Sequence, residues 1–237
     1  MLEQLPNILV WAVIWVTSWG IFFWFIYKKE VDYIKHFLWT ATYFLSVAVI
    51  TSLIFREHIV RALNGFTMTP FIVLGVVILI HIILYIYVPK YLHEPKDYFE
   101  KYPKRQYLKI DRRRLVSKSM DILAQQIFVI LLVIFLHDAG LTLGQIIIAF
   151  AIIFGFVHAP LILVERGSWP SWYFTVFSIF SAIVFPTLIL KVQYGFVYSY
   201  IVHWVFYTFT AVGFWILYPR YKNILNKKYE SNISKNW

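Results

Sequence analysis

Several ionisable and amide side chains stand inside long apolar runs of this sequence: Asp121, Gln125, Gln126, His158 and His203. Histidine exchanges protons near neutral pH, and a carboxylate or an imidazole can act as a general base in hydrolysis. Polar residues within apolar spans usually face a bundle interior or a cavity. We therefore predict that Gln125, His158 and His203 converge in one polar cavity, with Asp121 one turn from Gln125 on the same helix face.

A purely structural role for these residues is the alternative. Each histidine would then make one hydrogen bond between helices and do no chemistry, which is the interpretation that fits His81. A metal centre is not expected, because catalytic zinc normally has three protein ligands, and two histidines with amides are a poor set. The chain has no cysteine, so thiolate chemistry is excluded. No cofactor is predicted.

The elements that must position these residues are membrane-spanning helices. Of the 237 residues, 60% are apolar and 14% are charged, with a mean hydropathy of +0.67, which lies outside the range of soluble domains. Segments of roughly 20 apolar residues can span a bilayer as helices, and strands of a barrel would alternate instead. Seven segments qualify: Ile8–Tyr27, His36–Phe55, Pro70–Val88, Met120–Leu136, Leu143–Val164, Trp169–Leu190 and Gly195–Tyr218. The sequence therefore predicts an all-α, polytopic membrane protein with about seven transmembrane helices.

The positions of lysine and arginine predict the orientation of these helices. With the N-terminus outside and the C-terminus inside, 19 of the 22 cations fall on the inner side, as the positive-inside rule requires. The net charge of +10 is then a topology signal rather than an indication of nucleic-acid binding. The composition suits the cell membrane of a prokaryote.

The same pattern divides the chain into four parts. Residues 1–88 hold three transmembrane helices, 89–119 form a basic amphipathic cytoplasmic connector, 120–218 form a four-helix core, and 219–237 are a basic cytoplasmic tail. The connector mixes cations with Tyr102, Tyr107 and Leu108. Such a segment is expected to lie against an anionic inner leaflet, which makes the lipid bilayer the first predicted partner.

The core resembles the CPBP family, which includes the type 2 CAAX prenyl proteases and bacteriocin-immunity relatives. That family carries Glu-Glu-x-x-x-Arg, then Phe-x-x-x-His, then His-x-x-x-Asn on successive helices. Phe154–His158 followed by Ala-Pro matches the second motif, and His203 after the Gly195 turn resembles the third. Gln125-Gln126 stands at the place of the first motif, 33 residues before His158. The resemblance covers roughly 115–218 and implies a proteolytic site at Gln125, Gln126, His158, His203 and Tyr207.

The departures from the family pattern concern the charged groups. Both glutamates are glutamines here, the arginine is Ile130, and the asparagine of the third motif is Tyr207. The family's glutamate is taken to activate the attacking water, and a neutral amide cannot accept that proton. Tyr207 still has a hydroxyl that can donate to an oxyanion.

These departures favour a non-catalytic CPBP relative that binds a membrane protein, a peptide or a lipidated tail. The first alternative is an active CAAX-type intramembrane endopeptidase with a rearranged site, using His158 and His203 with Asp121 or Glu165 as substitute base, or a histidine as base. The second alternative is a small transporter or channel lined by the polar residues, although no half-helix pattern or paired repeat is present.

Overall fold

The structure of the protein is a computed structural model that describes residues 2–63, 67–102, 108–164 and 169–233. Side chains are outside the description at 2, 27, 101, 156–161, 163, 164, 169–171 and 220–233. After a 3-10 turn at Leu2–Gln4, nine helices follow in the described ranges: α1 (Leu5–Lys28), α2 (Phe37–Ile54), α3 (Arg56–Leu63), α4 (Met68–Tyr91), α5 (Lys96–Lys101), α6 (Arg112–Asp138), α7 (Leu143–Val164), α8 (Trp169–Lys191) and α9 (Gly195–Ile233).

The helices confirm the predicted all-α, membrane-spanning architecture. Within the described residues six of them are long and apolar enough to cross a bilayer, namely α1, α2, α4, α6, α8 and α9. This number is close to the predicted seven. The remaining predicted span coincides with α7, whose stretch Leu143–Gly155 is apolar. Six spanning helices imply a bilayer environment and an integral membrane protein.

Helix α6 is the centre of the bundle. In its most apolar stretch 72% of the residues are buried, against 11% in α1 and in α4. It contacts α1, α2, α4, α7, α8 and α9, and Trp11 on α1 donates a hydrogen bond to its Phe128 carbonyl at 2.9 Å. The outer helices expose leucine, isoleucine, valine and phenylalanine side chains on their other faces, as helices that face lipid do.

Contacts between helix ends divide the bundle into two sides. At one side, the loop before α2 meets the start of α6 through Ser117 and the Tyr33 carbonyl, 2.8 Å apart. The middle of α9 contacts the segment before α6 there, because Trp215 donates to the Leu108 carbonyl at 3.0 Å. At the other side, Arg61 on α3 pairs with Asp138 at the end of α6. This division agrees with helices that cross the membrane in alternating directions.

The boundaries of α6 and α9 differ from the predicted spans. Helix α6 begins at Arg112 rather than Met120, capped by the Asp111 side chain, which accepts from the Arg113 N–H at 2.8 Å. The last part of the predicted connector is therefore the first two turns of the central helix. Helix α9 continues past Tyr218 to Ile233, so the described part of the tail is helical.

Candidate functional site

The first half of α6 carries a row of polar side chains into the bundle. Arg114, Ser117, Lys118, Asp121 and Gln126 are all buried, and Gln125 is half-buried. The spacing of three and four residues between them places most of them on one face of the helix. Buried polar groups need partners, and the partners come from the loop before α2, from α4 and from α9.

Asp121 is the best-satisfied of these groups. Its side chain is fully buried, and its Oδ2 accepts from the Lys118 ammonium at 2.6 Å and from the Tyr33 hydroxyl at 3.0 Å. Its Oδ1 accepts from the Gln125 amide at 2.7 Å. The carboxylate thus has three donors, and Gln125 is directed along α6 towards Asp121.

Two tyrosines enclose the Lys118 ammonium. Its Nζ lies 4.0 Å from the centre of the Tyr207 ring and 5.8 Å from that of Tyr33, distances at which a cation is attracted to an aromatic face. Burial, followed by the charge of Asp121, raises the pKa of Tyr33 well above its ordinary value. Tyr33 therefore keeps its proton and remains a donor to the carboxylate.

Gln126 joins α6 to α9 in a second buried cluster. Its Nε2 lies 2.7 Å from the Ser199 hydroxyl, and its Oε1 lies 3.2 Å from Nδ1 of His203. Ser199 donates its only proton to the Phe196 carbonyl at 2.8 Å, so it must accept from the amide. The amide oxygen then faces His203, which requires that Nδ1 of His203 carries a proton and donates it.

Tyr207 connects the two clusters. Its ring stacks on His203 with the ring centres 5.4 Å apart and covers Lys118 on the other side of the network. The ring of Phe185 on α8 also packs against the His203 ring, with the ring centres 5.3 Å apart. The imidazole is thus fixed by one amide and two aromatic rings.

The structure brings together three of the five family-motif positions: Gln126, His203 and Tyr207 form one cluster. The predicted neighbours Gln125 and Asp121 are paired. The side chain of His158 and the whole of Glu165 lie outside the described residues. His81 is elsewhere: its Nδ1 bonds the Val77 carbonyl in the preceding turn at 2.7 Å, and its ring packs against Trp204.

Sequence reasoning missed Lys118, Tyr33 and Ser199 as members of this network. Lys118 lies three residues before Asp121 and seven before Gln125, so the helical spacing was a usable signal. Nothing in the sequence singles out Tyr33 or Ser199, because their partners are distant in the chain.

The chemistry available to the described residues is that of a satisfied polar core. Among these residues no three His, Asp or Glu side chains are close enough to hold a metal ion. Two cavities of the described structure lie elsewhere, one beside Lys109 and Trp215 and one beside Leu45 and Arg56. In the cluster of Gln126, Ser199 and His203 the amide group binds both the serine hydroxyl and Nδ1 of the histidine.

Comparison with known proteins gives no relative: no family model, curated protein or solved structure matches the chain.

Proposed function

We propose that the protein is a non-catalytic relative of the CPBP membrane proteases, which binds a membrane partner, a peptide or a lipidated tail without cleaving it. The supporting observation is that Gln126 is a neutral amide held between Ser199 and His203. At a position where the family pattern has glutamate, this chain has an amide that bridges Ser199 and His203 at 2.7 and 3.2 Å. A neutral amide cannot accept a proton from an attacking water, so Gln126 cannot act as a general base in hydrolysis.

The partner of His203 supports the same conclusion. Because Nδ1 donates to the neutral amide of Gln126, any proton would be accepted at Nε2, with no carboxylate behind the imidazole to stabilise the resulting charge. A glutamate at 126 would instead present a carboxylate to the imidazole, an arrangement that orients and activates histidine in hydrolytic sites.

Asp121 belongs to the network, and its partners disfavour a role as substitute base. Both of its oxygens already accept hydrogen bonds, Oδ2 from Lys118 and Tyr33 and Oδ1 from Gln125. Its geometry supports a structural ion pair rather than the rearranged peptidase.

Binding without cleavage is tested with a fluorescently labelled, prenylated CAAX peptide and the purified protein in lipid nanodiscs. We expect saturable binding by anisotropy, with the peptide recovered intact. The same peptide without its prenyl group reports whether the lipid is recognised. A lack of binding by both peptides, and by a mixed pool of membrane-protein C-terminal peptides, would contradict the binding role.

A further inference from the structure

A cavity of about 570 Å³ opens where α4 ends and α6 begins. It is separate from the polar network of α6, and the proposed function does not depend on it. Its walls come from the end of α4, the segment between α4 and α5, the start of α5 and the residues before α6. Four cations line it: Lys90, Lys96, Lys109 and Arg113.

Two of these cations are already paired with the two acids in the wall. Lys109 Nζ lies 3.7 Å from Glu94, and Arg113 forms an ion pair with Asp111 at 3.1 Å. Burial alone would raise the pKa of Asp111, but its hydrogen bonds from Arg113 outweigh burial and leave this pKa below its ordinary value. Asp111 therefore stays ionised, and its pairing with Arg113 persists.

Lys90 and Lys96 have no carboxylate within ion-pair distance in the part of the chain that the structure describes. Lys90 lies over the ring of Tyr87 at 5.0 Å, a contact that leaves its ammonium donors available. Four cations and two carboxylates line the cavity, so its lining has an excess of two positive charges. Lys90 and Lys96 carry this excess and can bind an anion.

Apart from His93, the rest of the lining is apolar. Leu92, Ile110 and Trp215 line the cavity, and Trp215 is only 3% exposed because it is anchored to the Leu108 carbonyl. A site with cations at its edge and an apolar floor fits a ligand whose anionic group adjoins hydrocarbon. A free inorganic anion would gain nothing from the apolar part.

The position of the cavity along the bundle fits the same ligand. Helix α4 ends at Tyr91 and helix α6 begins at Arg112, so the cavity lies level with the ends of two spanning helices. In a bilayer this is the depth of the headgroups. Basic pockets between spanning helices at this depth are suited to anionic headgroups.

We propose that this cavity is a specific site for the phosphate of an anionic phospholipid headgroup, with Lys90 and Lys96 as the residues that bind the phosphate. Specific binding differs from the general attraction of a basic segment to an anionic surface. It requires these two lysines rather than any two cations on the same side of the membrane.

The test is a titration of phosphatidylglycerol into the protein in a neutral detergent, followed by native mass spectrometry. Phosphatidylcholine with the same acyl chains is the comparison lipid. The test variant is Lys90→Gln/Lys96→Gln. The matched control is Lys28→Gln/Lys29→Gln, which removes the same charge from exposed positions at the end of α1.

We expect one tightly bound phosphatidylglycerol on the native chain and an affinity roughly thirtyfold lower in the test variant, from the loss of the two lysines that bind the phosphate. The control variant should stay within about twofold of the native chain, because Lys28 and Lys29 do not line the cavity and contribute only to the general surface charge. Lys90→Arg/Lys96→Arg should retain the lipid. Equal losses in test and control variants, or equal binding of the two lipids, would overturn the proposal. Displacement of the lipid by millimolar sodium phosphate would assign the site to free phosphate instead.

Discussion

At the residue scale, the buried ion pair of Lys118 and Asp121 accounts for how charge is tolerated inside the bundle. Each partner compensates the other, and Tyr33, Tyr207 and Gln125 satisfy what remains. Removing one member of a buried pair leaves an uncompensated charge, whereas removing both leaves a neutral core. The two situations predict different stabilities.

We therefore expect Lys118→Met to lower the free energy of unfolding by about 3 kcal/mol or more. Adding Asp121→Asn should recover most of this loss, because it removes the uncompensated charge and its amide oxygen can still accept from the Tyr33 hydroxyl. Titration with sodium dodecyl sulfate, followed by circular dichroism, measures both variants and the Asp121→Asn single variant. Additive losses in the double variant would show that the two residues are not coupled.

The polar network could be predicted only in part from these residues. The polar residues in the apolar runs predict that a glutamine of the first motif lies close to His203. The glutamine that contacts His203 is Gln126 rather than Gln125. Tyr33 could not be predicted, since it lies in a loop 88 residues before its partner Asp121. The contribution of Ser199 depends on the rotation of α9, which the apolar pattern does not define.

At the element scale, the apolar runs locate the long helices well. They fail where buried charged residues extend a helix beyond its apolar run. The predicted Leu143–Val164 coincides with α7, and Phe37–Ile54 differs from the prediction by one residue at each end. Helix α6 starts eight residues earlier than predicted because Arg114 and Lys118 were assigned to a surface segment. Helices α3 and α5 have only 8 and 6 residues, which is too few to produce an apolar run.

The turn between α8 and α9 supplies the second prediction. Gly195 begins α9 directly after Tyr194, whose φ is +59°, and a Cβ on Gly195 would overlap the backbone carbonyl of Leu188. Because backbone cannot move aside as a side chain can, Gly195→Ala should lower the unfolding free energy by about 2 kcal/mol, the cost of overpacking.

The matched control is Gly213→Ala on the same helix, where a Cβ would meet no atom within 4 Å. Alanine is favoured over glycine in a helix interior by about 1 kcal/mol, so this variant should be neutral or slightly more stable. The same detergent titration compares the two variants. Equal stability of both would mean that the approach of Gly195 to α8 is not tight.

At the scale of the whole molecule, the two ends of the bundle differ in charge. The side that holds the start of α6, the end of α4 and the Trp215–Tyr218 part of α9 contains the basic segments, and the other side contains Arg56, Arg61 and Lys191. The positive-inside rule predicts that the first side faces the cytoplasm.

Single cysteines can test this orientation, because the chain has none of its own. In intact cells a membrane-impermeant maleimide should label Gln193→Cys, which is exposed between α8 and α9. Lys35→Cys, exposed in the loop before α2, should be labelled only after permeabilisation. The reverse pattern would invert the orientation and place the basic cavity outside.

The proposed function requires that the glutamine-bridged core does not hydrolyse peptides. This is tested by mass spectrometry of a prenylated CAAX peptide and a mixed peptide pool after incubation with the purified protein in lipid. Three proteins are compared: the native chain, His158→Ala, and the double variant Gln125→Glu/Gln126→Glu as an attempt to restore the acidic pair. We predict intact peptides with the native chain and with His158→Ala. Fragments that form with the native chain and disappear with His158→Ala would show that the native chain is a peptidase.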